Sequence, residues 1–155
     1  MRIRIIQLGR FKDKELASLA AELTKRLGAF SDLKIDELKD QSPSKSFSKD
    51  RCIEEEGEKI LAALSDGEFV IALDERGREF SSEEFASKLG SWKDNGRALT
   101  FVTGGAFGLS AAVRERADLV LSLSKMTFTH QMVRPILLEQ IYRAFCIIAG
   151  KEYHH

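Results

Sequence analysis

Three stretches of the 155-residue chain hold residue types whose spacing can do chemistry. The first is Gly104-Gly105-Ala106-Phe107-Gly108, placed between an apolar run, Ala98 to Val102, and a short helical pattern. Glycines at such a turn let the backbone bend sharply and approach a ligand, and the helix start beyond favours an anionic group. The spacing is G-G-x-x-G and follows the fourth strand pattern, so it is not the dinucleotide fingerprint of a first βα turn. On spacing alone, a tight connection without a ligand explains it equally. The second stretch ends a strand at Leu121-Ser122 and opens the last helix with His130 and Arg134. Residues four apart share a helix face, so both can serve one site. Taken singly, such a histidine caps or packs, and such an arginine pairs with a carboxylate. The third stretch is the tail, Gly150 to His155, whose two histidines read as functional groups or as the remnant of a purification tag.

Other chemistries are not expected. The chain has three histidines, and no third histidine or thiol stands near the tail at zinc-ligand spacing, so no metal site is foreseen. No serine sits in a nucleophile elbow beside them. Cys52 and Cys146 lie far apart in different apolar patterns and read as two reduced core thiols.

The elements that must position these residues alternate between two periods. Arg2 to Leu8 alternates basic and apolar residues and stops at Gly9, as a strand does. Leu16, Leu19, Ala20, Leu23 and Leu27 recur at helical spacing from Asp13 onward, with Gly28 as the stop signal. Leu33 to Leu38 is a short strand, and the serine-rich stretch Lys39 to Ser48 is a surface loop. Ser48 caps a second helix to Leu64, with Ile53, Ile60, Leu61 and Leu64 expected on its inner face. Phe69 to Leu73 is a buried strand that ends at Asp74, and Ser81 or Ser82 with Glu84 starts a helix through Trp92. Ala98 to Val102 is a strand, Ser110 to Arg116 a short helix, and Asp118 to Ser122 another strand. The last helix carries Met132 through Ile148, with Pro135 either bending it or lying in its first turn; a bend or irregular turn is expected. Strands alternating with helices define an α/β fold with a mostly parallel sheet flanked by helices, and residues 1–155 read as a single domain.

Composition fits that reading. Apolar residues make up 43% and charged residues 31%, which suits a globular chain and not a disordered one. The opening residues are too short and interrupted for a signal peptide, and no apolar run approaches a membrane span, so a cytoplasmic protein is expected. The 24 basic and 24 acidic side chains cancel overall, against indiscriminate coating of nucleic acid. They do not cancel locally. Residues 1–51 carry 12 basic and 8 acidic groups, residues 52–124 carry 8 and 14, and residues 125–155 carry 4 and 2. Positive charge therefore gathers at the two ends.

Together, Leu73 at the end of its strand, Gly104-Gly105, Leu123-Ser124-Lys125-Met126-Thr127-Phe128 before His130, Leu138-Glu139-Gln140 with Tyr142-Arg143-Ala144, and Tyr153-His154 resemble one family. It is the ribosomal RNA large-subunit methyltransferase H group of the SPOUT superfamily, and the resemblance spans essentially the whole chain. It implies methylation of N3 of a pseudouridine in helix 69 of 23S rRNA, with S-adenosylmethionine as cofactor. It also implies a homodimer with a deep C-terminal trefoil knot, and the ribosome as partner. Periodicity alone leads to an ordinary open sheet, since chains rarely thread loops. Carried over residue by residue, the cofactor contacts are Leu73, Gly104, Gly105 and Leu123, Ser124, Lys125, Met126, Thr127 and Phe128. The catalytic candidates are His130, Arg134, Tyr153 and His154. Departures from the family pattern are Ala106-Phe107 in the glycine loop, Thr129 before the histidine, Glu152, and His155 at the end.

The chemistry this implies needs no metal and no covalent nucleophile. It needs alignment of N3 with the methyl and a path for the imide proton. Arg134 or Lys125 is expected to stabilise the deprotonated imide, His130 or His154 to relay the proton, and Tyr153 to hold the base. The rival expectation is a ribosome- or RNA-binding module that keeps the fold without the activity. The broad apolar stripe of the last helix is expected to serve both the core and a dimer partner.

Overall fold

Alternation along the strands and helical spacing between them sort the apolar residues onto two faces of one sheet. The computed structural model describes residues 1–42 and 48–151. In chain order the elements are β1 (Arg2–Leu8), α1 (Lys14–Leu27), β2 (Asp32–Leu38), α2 (Lys49–Ala63) and β3 (Phe69–Arg78), then α3 (Ser82–Asp94), β4 (Leu99–Thr103), α4 (Ala111–Arg116), β5 (Leu119–Leu121) and α5 (His130–Ile148). The strands form one sheet in the order β2-β1-β4-β3-β5, and every pairing is parallel.

Neighbouring positions on each strand feed opposite layers. Ile3, Ile5, Ile71, Leu73, Leu99 and Phe101 pack with α1, α3 and α5, whereas Ile6, Leu8, Val70, Ala72 and Val102 pack with α2 and α4. A fully buried Ile, Leu or Phe contributes roughly 1.5–3 kcal/mol, so two such layers are enough to hold the sheet. Among the described residues each helix opens on a capping side chain: Asp13, Ser48, Ser81, Ser110 and Thr129. Ser81 forms a complete capping box with Glu84. Both cysteines are free and buried. Among the described residues no helix is long and apolar enough to cross a membrane.

Two local expectations are corrected. β3 does not stop at Asp74; it runs on to Arg78, whose register lies against Leu121 of β5. α2 buries Cys52, Glu56, Gly57 and Ile60, with Ile53, Leu61 and Leu64 only half-buried. As expected, α1 stops at Gly28, which takes right-handed helical geometry, φ −57°. Of the two placements open to Pro135, the structure has the one inside α5, beyond its first turn, so the carbonyl of Gln131 has no amide donor at that position. The apolar stripe of α5 is largely absorbed within the chain, against α1 and α3, and leaves Met132 and Ile147 exposed.

Candidate active site

Ligands of parallel α/β sheets bind beyond the C-terminal ends of the strands. Here the middle of β3 and the ends of β4 and β5 surround a cleft of about 580 Å³, a size typical of small-molecule sites. A wider groove of about 990 Å³ crosses the opposite, N-terminal ends. Two of its arginines are already engaged, Arg4 by Asp36 at 2.7 Å and Glu68 at 3.1 Å, and Arg97 over the ring of Phe69 at 4.6 Å. The C-terminal cleft is the better site.

Its floor is the glycine loop. A Cβ on Gly104 would lie 2.8 Å from the carbonyl carbon of Gly108, closer than two such atoms can come. Gly108 itself takes φ +86°, and its N–H donates to the carbonyl of Gly105 at 3.2 Å. The backbone is thereby folded tightly on itself, leaving an open cradle at the strand ends. The opposite wall is the run after β5, shaped by its serines. Ser122 Oγ donates to the carbonyl of Ser124 at 2.9 Å, and the N–H of Met126 donates to Ser124 Oγ at 2.9 Å. These bonds turn the chain so that Met126 and Phe128, 77% and 43% exposed, form an apolar rim.

Leu73, Gly104, Gly105, Leu123, Ser124, Met126, Thr127 and Phe128 all line this one cleft, and Lys125 does not. His130 lines it as well, from the first turn of α5. Burial, then the nearby cations Arg134 and Lys12, hold its imidazole below the usual histidine range, with Asp40 opposing them. It is a neutral base at neutral pH.

Arg134 is placed elsewhere. It is 2% exposed, is absent from the cleft lining, and donates Nη2 to the carbonyl of Leu8. Its guanidinium lies 5.0 Å from the ring centre of Phe11, and Nε and Nη1 have no partner. Tyr153 and His154 lie outside the described residues. Among the further lining residues that the sequence reading missed are Lys49, Asp74, Arg76 and Val133. Asp74 had a visible signal: a carboxylate directly after a buried parallel strand stands at the ligand end of the sheet. It accepts from Arg76 at 3.3 Å and Arg114 at 3.4 Å.

The comparisons with known proteins show the family. The family model described as "Predicted SPOUT methyltransferase" matches residues 1–154, and the chain belongs to the SPOUT methyltransferase family. Within it, the chain is 46% identical to the ribosomal RNA large subunit methyltransferase H of Trichlorobacter lovleyi, with 100% of both chains covered. It is 44% identical to the protein of the same name from Limosilactobacillus reuteri, over 99% of each chain. The resemblance read from the residues is therefore shown. Among solved structures, the tRNA (m1G37) methyltransferase of Aquifex aeolicus superposes with a TM-score of 0.57 at 14% identity, covering 100% of this chain and 74% of that one. A methylase family protein of Haemophilus influenzae gives 0.59 at 15%, covering 99% and 70%. These two likenesses speak to the fold.

Proposed function

We propose that this protein transfers a methyl group to N3 of a pseudouridine in helix 69 of 23S rRNA, on assembled ribosomes in the cytoplasm. The observation that carries the reading is the cleft: residues from β3, the glycine loop and the run after β5, far apart in sequence, converge on one cradle. Relatives at 44–46% identity over nearly the full chain carry a ribosomal RNA methyltransferase name.

The residues present fit S-adenosylmethionine. Leu73 and Leu123 offer apolar surface to an adenine, and the glycine loop brings backbone amides and carbonyls within reach of its edge and ribose. When bound, S-adenosylmethionine supplies an electrophilic methyl, so the chain itself needs to orient the base and handle one proton. His130, neutral and facing the cleft, takes the imide proton directly or through His154. The cation that steadies the imide anion is Lys125 or Arg134. Arg134 requires rearrangement to reach the base, which favours a supporting role through His130. Tyr153 holds the base.

A homodimer and a trefoil knot belong to the same reading. The exposed apolar residues Met126, Phe128 and Met132 beside the cleft suit a partner chain. Support for the knot comes from membership of the SPOUT methyltransferase family. Calorimetric titration with S-adenosylmethionine tests the reading. Stoichiometric binding supports the enzyme; silence supports the RNA-binding module.

A further inference from the structure

The glycine loop is backed by a carboxyl group that takes no part in the cleft. Glu56, on α2, is 2% exposed. Its Oε1 accepts the backbone N–H of Gln41 at 2.8 Å, and its Oε2 is buried without a partner. A Cβ on Gly105 would lie 2.5 Å from that Oε2, 3.0 Å from Oε1 and 3.1 Å from the carboxyl carbon. Gly105 is not among the glycines at positive φ, so its backbone conformation tolerates a side chain. Glu56 is what excludes one. The same helix makes a second close approach nearby, where a Cβ on Gly57 would meet Ser110 Oγ, the cap of α4.

We propose that Glu56 is a positioning residue for the cofactor cleft, fixing the glycine loop by direct packing against Gly105 while tying in the segment after β2 through Gln41. The proposal rests on the reading of the cleft as the S-adenosylmethionine site. Glu56 touches no cofactor; it acts through Gly105, which lines the cleft from the other side. Burial, the largest influence, raises its carboxyl above the usual carboxylate range, with Asp40 acting in the same direction against Gln41 N–H and Lys59. A glutamine of the same shape is a close mimic.

The test is a double-mutant cycle read as S-adenosylmethionine affinity by calorimetry, with thermal melts confirming that each variant folds. Gly105→Ala is expected to weaken binding about tenfold or more, because the loop must shift away from Glu56. Glu56→Ala is expected to weaken it several-fold by loosening the loop. In Gly105→Ala/Glu56→Ala the new methyl has room, so affinity returns to that of Glu56→Ala alone. Glu56→Gln, which keeps the shape, should stay within about threefold of the unmodified protein. The proposal is overturned if the two alanine effects multiply, if Gly105→Ala binds normally, or if Glu56→Gln is as weak as Glu56→Ala. Failure of the unmodified protein to bind is a different result: it overturns the cofactor reading, and the proposal with it.

Discussion

His130 and Arg134 stand one turn apart on α5, yet only His130 faces the cleft; Arg134 is buried behind it, bonded to the carbonyl of Leu8 and stacked on Phe11. A shared helix face has put the two side chains in different environments. The histidine is half-buried at the cleft and depressed in basicity, and the arginine is a desolvated cation that contributes to that depression.

His130 should therefore act as a neutral base. Its native pKa lies below the ordinary 6.5, so the unfolded chain takes up that proton first as the pH falls. Both activity and the stability contribution of this group should hold above pH 6.5 and decline below it, through the lowered native value. His130→Asn should lower methyl transfer by about 10²-fold or more and abolish this acid limb, with cofactor affinity nearly unchanged. Single-turnover rates across pH check it. An unaltered limb in the variant would remove His130 from the reaction.

Arg134 separates support from chemistry. A buried charge with two unpartnered nitrogens is costly, and an apolar residue of similar length can be neutral or stabilising. Arg134→Met should match or exceed the stability of the unmodified protein, whereas Arg134→Ala should lose about 2–4 kcal/mol through the cavity. If Arg134 also supports the reaction through His130, the methionine variant loses methyl transfer despite its stability. Denaturant melts and activity measured on the same samples decide the matter.

Glu56 should leave a mark on stability against pH. Its carboxyl is raised above 4.5 in the native state, so the native chain binds this proton more tightly than the unfolded chain. That contribution is complete below pH 4.5 and is lost as the pH rises through the raised value. Asp40, Glu55, Lys59 and Cys52 surround it, and of these Asp40 reinforces the shift and Lys59 opposes it. Relative to the unmodified protein, Glu56→Gln should gain stability as the pH rises. Thermal melts over a pH series test this; parallel curves would contradict it.

Gly77 marks a close approach of β3 to β5. Because a Cβ there meets backbone rather than a flexible side chain, Gly77→Ala should cost about 3 kcal/mol or more. Gly67, where a Cβ meets nothing within 4 Å but φ is +82°, should cost only about 1 kcal/mol when changed to Ala. Equal losses in urea melts would show that the approach is not tight.

Much of this architecture is legible in the residues, because strands such as Val70–Leu73 and Leu99–Val102 feed both layers and the caps Ser48, Ser81 and Ser110 are local signals. What escapes is non-local. Asp74-Glu75-Arg76-Gly77-Arg78 looks like a charged turn, and it becomes strand only because β5, more than forty residues later, offers it a backbone to pair with. Glu56 sits in the run Glu54-Glu55-Glu56, which reads as a solvated helix face; its burial depends on a glycine loop about fifty residues away. The site was likewise legible where one strand end meets one loop. It was not legible in the orientation of Arg134, which is decided by Leu8 and Phe11 at the other end of the chain.

The central claim is methyl transfer to one base, and it is tested on ribosomes from a strain lacking the modification, incubated with the protein and labelled S-adenosylmethionine. The expected result is about one methyl per ribosome, located at N3 of a pseudouridine in helix 69, with no label when Tyr153 and His154 are both replaced. Ribosomes that remain unlabelled although the protein binds S-adenosylmethionine, or label at another base, would contradict it.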